Sequence, residues 1–171
     1  MKRFDTFWER SVAIGIDSSI LTFVLQFSKF LPFPAFSLSS ILLEIVVCNI
    51  PYFYAVLMIG KYGQTIGKMV MKVKVVDNAT ENALTYSQSF MREAVPIFLV
   101  NTSIILNVIL FSDVDFENFQ ISTVGYILIF IPSGMLFIWS ILEIVTMLFD
   151  DKKRALHDKI AETVVIRTNV K

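Results

Sequence analysis

Hydrophobic positions fall into four long runs separated by short polar ones. The runs are 8–27, 38–59, 94–111 and 123–149, and each is long enough for a helix to approach or cross a hydrocarbon core of about 30 Å. The strictly apolar part of the first run is short, so Trp8 and other interfacial aromatics are expected to help define its ends. Pro32 and Pro34 disfavour a continuous helix between the first two runs, and Pro51 predicts a kink in the second. In the fourth, the longest, Pro132-Ser133-Gly134 predicts a break. The polar segments have their own patterns. Gly60–Asp77 carries glycines that mark a turn, a short interfacial helix within GQTIGKMVM, and an alternating β-branched strand, KVKVVD, ending in the turn-like DNATEN. Tyr86–Glu93 is an amphipathic lead into the third run, and Ser112–Ser122 is a short acidic loop. The tail, 150–171, pairs an amphipathic segment, DDKKRALHDKIAE, with a second strand-like piece, TVVIRT. A lone two-stranded pair is marginal, so KVKVVD and TVVIRT are expected to pair while resting on the interfacial helices.

These elements predict an all-α integral membrane protein of one domain, 1–171. It is a four-transmembrane-helix bundle with amphipathic interfacial helices and a small cytoplasmic two-stranded β element. Composition agrees: 55% of the 171 residues are hydrophobic and 18% charged, against about 25% charged in soluble domains. Lysine and arginine collect on one side, with Lys2, Arg3, Lys61, Lys68, Lys72, Lys74 and Lys152–Arg154, while the other side has Lys29 beside three acids. By the positive-inside rule both termini are expected in the cytoplasm, in a prokaryotic cell membrane. The opening MKRFDTFWERSV resembles a basic signal n-region, but no small-residue cleavage motif follows the apolar run, so it is read as a retained span. The formal net charge is zero, which gives no support to nucleic-acid binding. Cys48 is the only cysteine, so no disulfide framework or thiol metal site is expected.

The chemistry begins with the first run. Arg10 and Asp17 are seven residues apart, two helical turns, so they project from one face about 10 Å apart along the axis. A carboxylate deep in hydrocarbon costs several kcal/mol (about 3) unless paired, hydrated or protonated. Polar partners for Asp17 are expected from the third run, at Asn101 or Asn107, or from a serine. Glu44 and Glu143 are further acids within apolar runs. The stretch Gly60–Lys68 fails as a phosphate loop, because Tyr62 stands where the first glycine belongs and Met69 where a Ser or Thr would hold magnesium. With His157 the sole histidine, neither a His-rich metal site nor a serine triad is expected, and no metal or other cofactor is implied.

Three blocks resemble the RDD family of small bacterial and archaeal membrane proteins, named for one arginine and two aspartates. They are WERSVAIGID, with Arg10 and Asp17; GQTIGK followed by VVD, covering Gly63–Lys68 and Val75–Asp77; and RALHDKIAETVV, with His157 and Asp158. Glu162 stands where the third block is expected to have glycine, which questions the tight turn after Ala161. The resemblance implies a compact multi-span bundle and, for activity, movement of an ion or small solute such as sodium/proton exchange. Within it, Arg10 is expected to pair with Asp158 and clamp the tail to the bundle, an arginine fork suiting a carboxylate; Asp17 and Glu9 are the other acids open to it.

Two functions follow as expectations. In the first, the chain moves a small cation or proton, with Asp17 as the central acid and Glu143 or Glu44 as a second carboxylate. Transporter-like repeat symmetry is not visible in the sequence, so such transport would call for a homo-oligomer. In the second, the chain is a non-catalytic membrane scaffold or regulator that binds another membrane protein. The lipid bilayer is the partner in both. Nothing in the sequence points to an enzyme.

Overall fold

The fold was analysed in a computed structural model, which describes residues 3–26, 38–111 and 123–168. The Pro32–Pro34 connection and the acidic loop lie outside these residues. Among the described residues, six helices and two strands follow in order: α1 (Phe7–Leu25), α2 (Leu38–Tyr62), α3 (Ile66–Val70), β1 (Val73–Asp77), α4 (Tyr86–Phe111), α5 (Thr123–Phe149), α6 (Leu156–Ile160) and β2 (Thr163–Arg167). The protein is mostly helical. Within the described residues α2 and α4 contain stretches long and apolar enough to cross a membrane, Leu42–Tyr62 with mean hydropathy 2.0 and Tyr86–Leu106 with 1.3. Large apolar side chains on them, including Phe53, Leu57 and Phe98, are exposed. Such a surface needs lipid or protein around it. α1 has similar length but carries Glu9, Arg10 and Asp17, and the described apolar part of α5 is Gly134–Phe149.

Two expectations about helix boundaries are corrected. The amphipathic lead and the third apolar run form one helix, α4, which starts at Tyr86 and passes through Pro96. Thr85 starts it: its hydroxyl and backbone N–H are joined to Gln88, and the Gln88 N–H donates back to the hydroxyl at 3.2 Å. The break expected at Pro132–Gly134 does not form, since α5 is helical from Thr123 to Phe149. A proline removes one intrahelical hydrogen bond, a loss that apolar surroundings and neighbouring helices tolerate in a long helix.

The two strands pair antiparallel, Val73 opposite Arg167 and Asp77 opposite Thr163. Val75, Val165, Ile59 and Leu84 pack into a buried cluster that ties the sheet to the end of α2. Gly63, at φ +71°, makes the turn out of α2, and its carbonyl accepts from the Val75 N–H at 2.8 Å. Asp77 closes the strand by accepting from the Thr80 and Ala79 N–H groups and from the Gln88 amide. These donors, the Thr80 N–H first, hold its carboxyl down to about 2.

The order of elements repeats, although no repeat is visible in the sequence. α1–α2–α3–β1 is followed by α4–α5–α6–β2, and the short helix and strand of each half stand 90 residues apart, Ile66 against Leu156 and Val73 against Thr163. Even the links match. Met71 and Ala161 cap the short helices with φ −81° and −90°, and Lys72 and Glu162 follow at φ 56° and 54°. Glu162 therefore makes the tight turn in the left-handed region that its side chain disfavours. The equivalent residues Val75 and Val165 face each other at the centre of the ladder, so a local twofold relates α3–β1 to α6–β2, the two halves of a small cap on the long helices. The residues themselves differ almost throughout, which is why the sequence hides the repeat: helix periodicity and strand alternation recur, side chains do not.

α3 lies against α1 so closely that a Cβ on Gly67 would come within 2.2 Å of the Ala13 carbonyl oxygen. Gly67→Ala is expected to destabilise the fold by about 1–3 kcal/mol, read as a lower melting temperature of the purified protein in detergent. Gly15→Ala on α1, where a Cβ meets nothing within 4 Å, should leave the melting temperature unchanged or slightly higher.

Candidate functional site

The polar side chains buried in the fold gather where the cap meets the helices. At the centre is Asp158, fully buried at the third position of α6. Its Oδ2 accepts from Arg10 Nη2 on α1 and, at 3.1 Å, from the Ala155 backbone N–H that α6 leaves free at its start. Its Oδ1 accepts from Arg92 Nη1 on α4 and from the Thr163 hydroxyl on β2 at 3.2 Å. Arg10 also donates to the Lys153 carbonyl at 3.0 Å, and Arg92 to the Thr163 hydroxyl at 2.6 Å. One carboxylate thus joins both halves of the chain. Burial alone would push its pKa up, but Arg10 and Arg92 hold it well below the ordinary carboxylate range.

His157 and Glu143 extend the network. Glu143 on α5 accepts from the His157 backbone N–H at 3.1 Å and lies 2.5 Å from His157 Nδ1. A carboxylate at Nδ1 selects the tautomer with the proton on that atom, which leaves Nε2 to accept from Arg92 Nη2 at 2.9 Å. His157 therefore ties α5 to α4 through the start of α6. Among the described residues no cluster of His, Cys, Asp or Glu suits a metal ion.

Asp17 sits two turns along α1 from Arg10, and its partners correct the sequence expectation. They come from the GQTIGK segment and α2. Oδ1 accepts from the Gly67 N–H at 2.8 Å and the Tyr54 hydroxyl at 3.0 Å, and Oδ2 from the Thr65 hydroxyl at 2.6 Å. Tyr54 in turn accepts from the Ile66 N–H at 3.0 Å. The carboxylate thus serves the N-terminal amides of α3, and Gly67 is what lets the backbone approach. Asn101 is engaged elsewhere: it exchanges hydrogen bonds of 2.9 and 3.0 Å with Asn49, tying α4 to α2. The Asn107 side chain lies outside the described residues.

The acids grouped from sequence therefore separate. Asp17 serves α3, Asp158 and Glu143 serve α6, and Glu44 is exposed on α2 with no hydrogen bond or ion pair to either set among the described residues. Arg10 faced three acids in the sequence. Glu9 goes to Arg167, Asp17 to α3, and Asp158 to Arg10. Arg92, Thr65 and Tyr54 were not singled out by sequence reasoning. Arg92 carried one signal, its spacing of three from Ser89, which places both on one face of α4; Ser89 is buried there and donates to the Val56 carbonyl at 2.8 Å.

What fold and site define is a mostly helical protein with candidate membrane spans, its two short helices latched to α1 by the buried carboxylate of Asp158 and the half-buried one of Asp17. The RDD family model matches residues 5–162, and the chain belongs to the RDD family. No curated protein and no solved structure matches the chain.

The paired arginines set a pH dependence. A carboxyl held below its ordinary value contributes stability that is fully present above the unfolded value of about 4. That contribution is lost as pH falls through the lower folded value. The cap should accordingly stay protected at pH 5–7 and open below about pH 4, followed by hydrogen exchange of the β1 and β2 amides. Asp158→Asn, which leaves two buried guanidinium groups unpaired, should cost about 3–5 kcal/mol at pH 7 and flatten that acid dependence.

Proposed function

We propose that this chain is a four-span membrane protein with both termini in the cytoplasm, and that it acts as a non-catalytic module binding another membrane component, alone or as a homo-oligomer. Helices α1, α2, α4 and α5 are the spans in this reading, and the sheet with α3 and α6 forms a cytoplasmic cap. The lysines and arginines of the cap side and the exposed apolar faces of the long helices support it. One observation carries the functional part: Arg10, Asp17 and Asp158 are all taken up by partners within the protein. A latch of this kind fixes the cap on the bundle. It leaves the outer surfaces, rather than the constellation, to meet a partner.

Cation or proton exchange through Asp17 is the second reading, and one feature favours it. The Thr65 and Tyr54 hydroxyl oxygens both lie within 3.0 Å of the carboxylate, a set of oxygens of the type small hard cations take. Flux in proteoliposomes holding a pH-sensitive dye separates the two. The wild type is expected to show no sodium- or potassium-driven proton movement, and Asp17→Asn to lower the melting temperature by loosening α3. Flux by the wild type that vanishes in Asp17→Asn at an unchanged melting temperature would overturn the binding-module reading.

A further inference from the structure

The two halves of the chain repeat in order but differ in how their long helices meet. α2 packs along α4, fastened by Ser89 and by Asn49–Asn101. The pair related to them by the repeat, α5 and α1, makes little contact. Between these two helices lies a cleft of about 520 Å³, in the range of small-molecule sites. Toward the cap it is lined by Arg10, Lys68 and Arg92, and further along the helices by Ile14, Trp139 and Ile144.

The charges in the cleft are not equivalent. Arg10 and Arg92 are committed to Asp158, and Glu143, which also lines the cleft, is committed to His157. Lys68 is different. Its half-buried ammonium makes no hydrogen bond or ion pair among the described residues, and it occupies in the first half the place that Asp158 occupies in the second. Burial, then Arg92 and more weakly Arg10, pull its pKa down to about 8, with Glu93 and Asp158 acting the other way. An ammonium in that position is stabilised by an anion. The apolar walls beyond it suit a hydrocarbon chain, and a free inorganic anion would leave them uncovered.

We propose that the cleft between α1 and α5 seats an anionic phospholipid, its phosphate on Lys68 Nζ and the start of one acyl chain between Ile14 and Trp139. The remaining lipid lies in the bilayer alongside α5, whose Phe137 and Ile138 are exposed. Lysines on the cytoplasmic side of a membrane attract anionic headgroups, and this one is held at the mouth of a chain-sized gap. The inference rests on the reading of the chain as a membrane-embedded binder and gives the bound component a chemical class.

Native mass spectrometry of the purified full chain in non-ionic detergent tests it, with phosphatidylglycerol, phosphatidylcholine and inorganic phosphate titrated separately. Phosphatidylglycerol is expected to bind more tightly than phosphatidylcholine. Lys68→Gln should weaken it roughly fivefold, whereas Lys68→Arg and the exposed-lysine control Lys61→Gln should retain it. The Lys68 ammonium has no hydrogen-bond or ion-pair partner to lose among the described residues, so Lys68→Gln should melt with the wild type, and Lys68→Arg keeps the test valid if it does not. Equal binding of the two lipids, an affinity indifferent to Lys68→Gln, or inorganic phosphate bound as tightly as the lipid would each overturn the proposal. The underlying reading fails in a separate way: the chain would then leave cell membranes in carbonate buffer without detergent.

Discussion

A fully buried carboxylate decides how this chain closes. Asp158 lies inside the cap, where a lone charge is costly, and its position is tolerable only because two guanidinium groups, a hydroxyl and a backbone N–H converge on it. The converging groups come from α1, α4, α6 and β2. Those elements are spread over nearly the whole chain, so the charge cannot be satisfied unless the first helix, the third long helix and the tail have come together. The neighbouring polar contacts depend on the same event: Glu143 and Arg92 can both reach His157 only once α6 is seated. Every incomplete arrangement leaves a buried charge without a partner.

Asp17 solves the same problem for the other half. α3 is one turn of helix with free amides at its start, and the α1 carboxylate meets one of them while Thr65 and Tyr54 complete the set. α1 therefore holds both short helices from one face. Asp17 holds α3 directly, and Arg10 holds α6 through Asp158. The two residues, two turns apart on α1, meet two cap elements that the repeat relates to each other.

Much of this was legible in the sequence and some was not, for reasons that can be assigned. The apolar runs announced the long helices, and the β-branched alternation of KVKVVD and TVVIRT announced the sheet, because both patterns are local. The pairing of Arg10 with Asp158 was suggested by a family resemblance. The partners of Asp17 are hidden from sequence because they are a backbone N–H and a hydroxyl from a segment about 50 residues away and a second hydroxyl, of Tyr54, from α2, and a backbone donor leaves no mark in the sequence. Arg92 was hidden inside an amphipathic stretch whose buried face is defined only by the tertiary packing of α4 on α2 and α6. The repeat was hidden because a helix–turn–strand unit needs only a cap, a left-handed residue and alternation. Lys72 and Glu162 meet the second requirement with side chains that resemble neither each other nor glycine.

The exchange of Asp158 for Lys68 between the two halves explains why the bundle is not symmetric. In the second half the acid draws an arginine from each of α1 and α4, and α1 is drawn toward α6 at its cap end. In the first half the equivalent residue is a cation, which can recruit neither arginine, and the short helix is held by Asp17 instead. α1 is thereby fixed between α3 and α6, with two turns of its inward face committed to the cap. α1 makes little contact with α5, whereas α4 lies along α2. The gap between α1 and α5 has the Lys68 ammonium at its polar end, the cation that stands where the second half has Asp158.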